Sequence, residues 1–103
     1  MIKHTVFFKL KLPVGSAAET DFLKAALALG SIPGVIDLVC VKQIGAKNAF
    51  TYGLVMAFED DPAYQAYTAH PSHVTFVAER WLPEVETFME IDYVTHPLSA
   101  STS

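Results

Sequence analysis

Two predicted strands, residues 35–44 and 50–59, are apolar on both faces, and this constrains the fold more than any other feature of the sequence. In the first strand, Ile36, Leu38, Cys40 and Ile44 lie opposite Val35, Val39 and Val41. In the second, Phe50, Tyr52, Leu54, Met56 and Phe58 lie opposite Val55 and Ala57. Strands of this kind must be covered on both faces. One layer of helices covers only one face, so a second copy of the chain is the simplest cover for the other.

The rest of the chain completes an α+β pattern. Residues 2–12 alternate, and their apolar face carries Ile2, His4, Val6, Phe8, Leu10 and Leu12. Residues 87–94 form the last predicted strand. The order β-α-β-β-α-β predicts a ferredoxin-like fold: an antiparallel four-stranded sheet with helices on one face. Two such sheets packed face to face give a dimeric α/β barrel, so we expect a homodimer through the sheet face.

Helix signals mark the segments between the strands. Ser16 and Glu19 form a capping box at the start of the first helix, and Gly30 ends it. The second helical segment begins at Asp60-Asp61-Pro62. The run His70-Pro71-Ser72 bends or restarts this segment, which continues until Pro83. The second helix is therefore predicted to be split in two.

Composition narrows the class of protein. The chain is 51% hydrophobic and 17% charged, an excess typical of a protein that buries surface against another subunit. A net charge of −4 without a basic cluster argues against nucleic acid and anionic membranes as partners. No apolar run approaches the ~18 residues that span a bilayer. The single Cys40 fits a reducing cytoplasm. We expect one domain over residues 1–95 and a flexible, Ser-rich tail over residues 96–103.

The run Tyr67-Thr68-Ala69-His70-Pro71-Ser72-His73 concentrates proton-carrying side chains at a helix junction. In a fold with one helical layer, this junction and the apolar strand face can enclose the same space. His4 and Tyr52 would come from the sheet, and Tyr67 and His73 from the helices. Apolar walls are available from Phe8, Leu10, Phe22, Leu54, Phe76 and Trp81. A pocket with apolar walls and a few convergent polar groups is the usual form of a small-molecule site.

Structural readings compete with this site. A histidine on the inward face of a strand, as His4 is predicted to be, is more often a structural core residue than a ligand-binding one. Tyr67 can likewise be a core residue whose hydroxyl is hydrogen-bonded within the protein. His70, directly before Pro71, is expected to cap or orient the next helix. A metal at His70 and His73 is disfavoured, because Pro71 disturbs their spacing and no second ligand cluster completes the set, so we expect no metal and no cofactor.

The chain resembles the stress-responsive dimeric α/β-barrel (Dabb) family. The resemblance lies in His4-Thr5-Val6-Phe7-Phe8-Lys9-Leu10-Lys11, in Ile32-Pro33-Gly34-Val35, and in the Tyr67–His73 run with Phe76 and Trp81. It covers residues 2–95 and implies a ferredoxin-like dimer that forms a β-barrel. The family includes plant stress-associated proteins and plant polyketide (olivetolic acid) cyclases.

In those cyclases, residues that align with His4, Tyr67 and His73 line the cavity, and the last two are the catalytic pair. The resemblance therefore implies a cyclase-like lyase in which His73 is the base and Tyr67 its partner, with His4 as a polar contact. Tyr52 departs from the pattern, because the cyclases carry another His there. Two alternatives stay open: a non-catalytic stress-related structural or oligomerising protein, and a dimeric-barrel monooxygenase.

Overall fold

The structure, a computed structural model, describes residues 1–100, the last of them through its backbone alone. The elements follow in the predicted order, with the second helical segment split. They are β1 (Ile2–Leu10), α1 (Ala17–Leu27) with a tight helical turn (Ala28–Ser31), β2 (Ile36–Lys42), β3 (Tyr52–Phe58), α2 (Asp61–Ala69), α3 (Pro71–Phe76), a π-helical turn (Val77–Trp81), α4 (Leu82–Glu84), β4 (Val85–Tyr93) and α5 (Pro97–Ala100).

Within residues 1–100 the strands form one antiparallel sheet in the order β2-β3-β1-β4. This confirms the ferredoxin-like α+β prediction. The central strand β1 pairs with both neighbours, so that His4 lies opposite Met56 of β3 and Asp92 of β4. The helices cover the face of the sheet on which His4, Val6 and Phe8 lie. The core between the two layers includes Val6, Phe8, Phe22, Ala26, Leu54, Phe58, Phe76 and Trp81.

Side chains cap the helices as the sequence predicts. The Ser16 hydroxyl accepts a hydrogen bond from the backbone N–H of Glu19 at 3.1 Å, and the Asp60 carboxylate accepts one from Ala63 at 3.0 Å. The predicted capping box differs in one bond. The Glu19 carboxylate accepts from the backbone N–H of Gly15 at 3.0 Å, one residue before the cap. These bonds satisfy donors that a helix start leaves free.

Strand β2 departs from the predicted alternation. The sequence pattern places Ile36 on one face with Leu38 and Cys40, but Ile36 pairs with Ala57, while Val39 pairs with Val55. Two residues of β2, Asp37 and Leu38, therefore lie opposite one residue of β3, Met56, which is a β-bulge. The backbone of Asp37 has φ 51, in the left-handed region that Asp tolerates better than most residues. The bulge turns Ile36 onto the face of Val39, so the predicted face of Ile36 is wrong.

The face of the sheet away from the helices is open in the described chain. Val39, Met89, Ile91 and Tyr93 lie on it, and each is between 48% and 52% exposed. Their cross-strand partners on β1 and β3 have the same orientation, opposite to that of His4. We call this face the open sheet face. It is the second apolar face that the sequence predicts, the one that the helices do not cover.

The ends of several elements differ from the predicted ones. Strand β1 stops at Leu10 instead of residue 12, and β4 starts at Val85 instead of residue 87. The second helical segment runs past Pro83 to Glu84, through the π-helical turn. Helix α5 lies within the predicted flexible tail, whose residues 101–103 lie outside the described residues. No helix within residues 1–100 is both long enough and apolar enough to cross a membrane.

Candidate functional site

A pocket of about 330 Å³ lies between the sheet and helices α2 and α3 and reaches β4. Its polar groups come from His4, Tyr64, Tyr67, Thr68, His73 and Glu90. Its walls are mostly apolar and include Val6, Leu54, Met56, Phe76, Trp81 and Phe88. Six residues singled out in the sequence therefore meet at one pocket: His4, Leu54, Tyr67, His73, Phe76 and Trp81.

His73 is held in one tautomer by the end of helix α2. Its Nδ1 lies 3.0 Å from the carbonyl oxygen of Thr68, and a carbonyl only accepts, so Nδ1 carries the proton. The carbonyl is available because the last carbonyls of a helix have no partner within it. In the neutral imidazole, Nε2 then has a free lone pair. A base needs such a lone pair.

Burial lowers the pKa of His73 from its ordinary 6.5. The hydrogen bond to Thr68 and the charge of Glu90 oppose this effect, while the positive charge that His4 can carry adds to it. The lowering is the outcome because removal from water disfavours the charged imidazolium. His73 is therefore neutral near pH 7.

Tyr67 is buried, and its ring centroid lies 4.5 Å from that of His73. Every fully buried side-chain nitrogen or oxygen atom within residues 1–100 has a hydrogen-bond partner. The Tyr67 hydroxyl has none in this range, so it must face the open space of the pocket. Burial, and to a lesser degree the Glu90 charge, raises the pKa of Tyr67. The hydroxyl therefore stays protonated and can donate to a bound ligand.

His4 enters the pocket from the sheet and is held by Asp92. Its Nδ1 donates to Oδ1 of Asp92 at 2.5 Å, and the Tyr64 hydroxyl donates to Oδ2 of the same carboxylate at 2.7 Å. The His4 ring lies 6.3 Å from the Tyr67 ring, centroid to centroid. His4 is thus oriented by one carboxylate and faces the Tyr67–His73 pair from the opposite wall.

Sequence reasoning missed Tyr64, Glu90 and Asp92. Tyr64 lies one helical turn before Tyr67, and its ring stacks on Phe58 at 4.9 Å. Burial, then the hydrogen bond and charge of Asp92, raises the pKa of Tyr64. A signal for the acids exists in the sequence, because Glu90 and Asp92 are two apart and so share one face of the last strand. The register that brings Asp92 opposite His4 is visible only in the sheet.

Comparison with known proteins supports the fold and shows the family of the chain. The model of the family described as "Stress responsive A/B Barrel Domain", Dabb, matches residues 2–95. The chain belongs to the Dabb family. A solved ferredoxin-like Dabb protein from Mesorhizobium loti is 46% identical to this Dabb chain, with a TM-score of 0.90. The match covers 92% of this chain and 96% of that one.

A curated relative of this Dabb chain is a stress-response A/B barrel domain-containing protein of Arabidopsis thaliana. It is 30% identical over 96 residues, which make up 91% of this chain and 36% of that protein. This Dabb chain therefore spans little more than a third of that relative.

Two solved structures with lower identity share the fold. A dimeric protein of unknown function from Bacteroides fragilis is 23% identical, with a TM-score of 0.71 over 91% of this chain and 95% of that one. A hydroxynitrile lyase from Passiflora edulis is 17% identical, with a TM-score of 0.81 over 92% of this chain and 93% of that one. At these identities the likeness shows the fold alone.

Four sequence-predicted residues of this Dabb domain lie outside the pocket: Phe8, Leu10, Phe22 and Tyr52. Phe8 and Phe22 are fully buried beside it, with ring centroids 5.9 Å apart. Phe8 also lies 5.1 Å from the Trp81 ring, behind the pocket wall. The Tyr52 hydroxyl donates to the buried carboxylate of Glu19 at 2.9 Å. Strand alternation predicts the orientation of Phe8 and Tyr52 correctly, but the pocket occupies only one end of the sheet face that they share with His4.

The histidines of the helix junction have separate structural bonds. His70 accepts a hydrogen bond on Nδ1 from the Ser72 backbone N–H at 3.1 Å, so it caps helix α3 as predicted. Within residues 1–100, the group with metal-ligand spacing is instead His4, Glu90 and Asp92. His4 and Asp92 are hydrogen-bonded to each other, so their ligand atoms already satisfy one another. We assign no ion to this group.

Proposed function

We propose that this Dabb domain forms a homodimer whose pocket binds a small, mostly apolar, carbonyl-bearing compound and acts on it by acid–base chemistry. One observation carries the proposal. The free Nε2 of His73 and the unbonded hydroxyl of Tyr67, within residues 1–100, belong to adjacent side chains in one apolar pocket. A base and a proton donor placed together are what enolisation of a carbonyl compound requires.

The proposed step follows from the protonation states. Nε2 of neutral His73 removes a proton from the carbon next to the carbonyl group. The electrons of the broken C–H bond form a C=C bond, and the π electrons of the carbonyl group move to its oxygen, which accepts a hydrogen bond from the Tyr67 hydroxyl. The lowered pKa of His73 keeps the base free, and the raised pKa of Tyr67 keeps the donor protonated. In a cyclase-like reaction, the resulting enolate attacks a second carbonyl of the same molecule.

His4 is the proposed polar contact on the opposite wall. Its Nδ1–H is bonded to Asp92, so in the neutral ring Nε2 is an acceptor. An acceptor there suits a hydroxyl or enol group of the ligand. His4 would then orient the ligand while His73 and Tyr67 carry the proton transfer.

The open sheet face supports the homodimer. Half-exposed Val39, Met89, Ile91 and Tyr93 form an apolar surface of the kind that soluble monomers rarely expose. Packed face to face, two such sheets would cover each other. The free thiol of Cys40 fits the reducing cytoplasm as the proposed location.

Ile91→Lys tests the dimer, because it buries an unpaired charge in the proposed interface. We expect the wild type to sediment as a dimer at micromolar concentration and Ile91→Lys to sediment as a monomer. Lys24→Glu, on the exposed surface of α1, is the control and should leave the dimer intact. A monomeric wild type would contradict the dimer.

Exchange of the hydrogens next to the carbonyl of benzylacetone, followed by NMR in D₂O, tests the chemistry without the natural substrate. We expect the wild type to accelerate exchange and His73→Ala to lose about 10²-fold or more, the usual worth of a general base. His70→Ala is the matched control at the same junction. It removes a helix cap, so it should cost about 1 kcal/mol of stability and leave exchange unchanged.

A structural role in stress is the second candidate, supported by the family description and by the Arabidopsis relative. It predicts the opposite result for the same variants. His73→Ala would then lower stability by about 1–3 kcal/mol, the usual cost of a lost buried partner, and change neither binding nor exchange. Wild-type protein that fails to accelerate exchange would contradict the acid–base proposal.

A further inference from the structure

The wall of the pocket formed by β4 is acidic. Glu90 lines the pocket, and its Oε1 lies 3.5 Å from Nδ1 of His4 and 3.3 Å from the Tyr64 hydroxyl. Asp92 follows on the same face of the strand and is bonded to both His4 and Tyr64. Two carboxylates therefore lie at the edge of a mostly apolar cavity.

No basic side chain balances these carboxylates within the described range. All 7 Lys and Arg residues of the chain fall in that range, and none of them lines the pocket. Lys9 is paired with Glu86 at 3.3 Å, and Arg80 with Glu84 and Asp21. His4 can carry at most one positive charge against the two acids. The cluster is therefore negative whichever protonation state His4 has.

We propose that Glu90 determines the ligand class, so that the pocket admits apolar compounds carrying an ammonium group and rejects those carrying a carboxylate. This rests on the proposed function in placing the ligand in the same pocket, and it names the class of compound that the pocket takes. The Glu90 side chain is 48% exposed, so water screens part of its charge, but a charged group on a ligand held within a few Å of the carboxylate is still attracted or repelled. The rings of Trp81 and Phe88 also line the pocket, with centroids 5.5 Å apart, and aromatic rings attract cations.

The charge of Glu90 also affects the proposed proton transfer. Removal of a proton next to a carbonyl leaves negative charge on the carbonyl oxygen, and the charge of Glu90 opposes its development. The field of Glu90 reaches the catalytic pair, since it contributes to the pKa values of both Tyr67 and His73. An ammonium group on the ligand offsets Glu90. The group that aids binding therefore also favours the enolate.

Three probes of similar size and different charge test the proposal: phenylbutylamine, benzylacetone and phenylbutyrate. Trp81 is the only tryptophan of the chain and lines the pocket, so its fluorescence reports binding. At low salt we expect the dissociation constant of phenylbutylamine to be at least about 10-fold lower than that of phenylbutyrate. The ratio should fall as salt is added, because ions screen the charges.

Glu90→Gln keeps the shape of the side chain and removes its charge. We expect it to bring the two dissociation constants to within about 3-fold of each other and to change that of neutral benzylacetone least of the three. Glu86→Gln is the matched control, because it removes the same charge from the same strand at a side chain paired with Lys9. It should leave the ratio at its wild-type value. Circular dichroism of each variant reports whether the fold is intact.

The outcomes separate this proposal from the proposed function. Equal binding of the amine and the carboxylate, or an unchanged ratio in folded Glu90→Gln, overturns charge selection and leaves the His73 exchange result standing. Charge-dependent binding without exchange supports the role of Glu90 and contradicts the acid–base chemistry. Wild-type protein that binds none of the three probes contradicts both proposals.

Discussion

The two ends of the interior between sheet and helices use the same kinds of residue in different ways. At the sealed end, which comprises Phe8, Phe22, Tyr52 and Glu19, the Tyr52 hydroxyl donates to a buried carboxylate and the rings fill the space. At the pocket end, which comprises His4, Tyr67 and His73, the Tyr67 hydroxyl has no partner within residues 1–100 and space stays open beside it.

Hydrogen bonding distinguishes a structural polar group from a candidate functional one at these two ends. Both tyrosines are partly or fully buried, and in both burial raises the pKa of the hydroxyl. They differ in their bonding. Packing provides Tyr52 with a partner, whereas Tyr67 keeps its capacity to donate. Because buried polar groups are normally paired, an unpaired one that faces a cavity is informative.

The largest expected effect is the loss of stability when an aromatic side chain that packs in the sealed end is removed. Phe22 is fully buried, so Phe22→Ala should cost about 3–5 kcal/mol of unfolding free energy, through lost burial and the cavity that remains. Urea denaturation measures this cost. Val74→Ala is the control, since Val74 is 54% exposed and should cost little. A cost for Phe22→Ala below about 1.5 kcal/mol would mean that the sealed end is not tightly packed.

The two tyrosines give a sharper test of the comparison at lower cost. Tyr52→Phe should lose about 1 kcal/mol, because the Glu19 carboxylate loses a donor. Tyr67→Phe should change stability by less than about 0.5 kcal/mol, since its hydroxyl has no partner in residues 1–100 to lose. Benzylacetone exchange should respond the other way, falling in Tyr67→Phe and not in Tyr52→Phe. Equal stability losses would remove the distinction between the two ends.

The smallest expected effect is a change in the pKa of His73 at the pocket end. Burial lowers the pKa of His73, so its ring should titrate in NMR with a midpoint below the ordinary 6.5. A base works when it is deprotonated, so exchange activity should rise with pH through that midpoint and then level off. Glu90→Gln should shift the midpoint further down, because the Glu90 charge raises the pKa of His73. A midpoint above 6.5 would show that charge, and not burial, dominates at His73.

Much of the fold follows from local patterns. The alternation of β1 places His4 on the helix side of the sheet, and Ser16, Asp60 and His70 cap the helices that follow them, as predicted. The prediction fails at Ile36, because one left-handed residue, Asp37, shifts the alternation and no local pattern reveals it. Local signals therefore predict elements and most faces, but not a bulge.

The candidate site is predicted less completely, for a geometric reason. Alternation shows which face a side chain takes but not where it lies along that face, and so it predicts the same site for Phe8, Tyr52 and His4. The helices close over one end and leave a pocket at the other. Asp92 becomes a partner of His4 only through the pairing of the first strand with the last. That register depends on the whole sheet. The division into residues 1–95 and a flexible tail stays a prediction.

The helix junction at His70 places Tyr67 and His73 in one short stretch of chain. The backbone N–H of His70 closes the end of α2 on Tyr67, its carbonyl accepts from Val74, and its side chain caps α3. His73 in turn is fixed by Thr68. The backbone that carries the phenol and the imidazole is thus bonded within one short stretch of chain, while Phe58 packs against the Tyr67 ring from the sheet, 5.1 Å between ring centroids. Grafted between two helices of an unrelated scaffold, this stretch should keep its backbone geometry, whereas the ring that supports Tyr67 and the orientation of His4 would have to be built again.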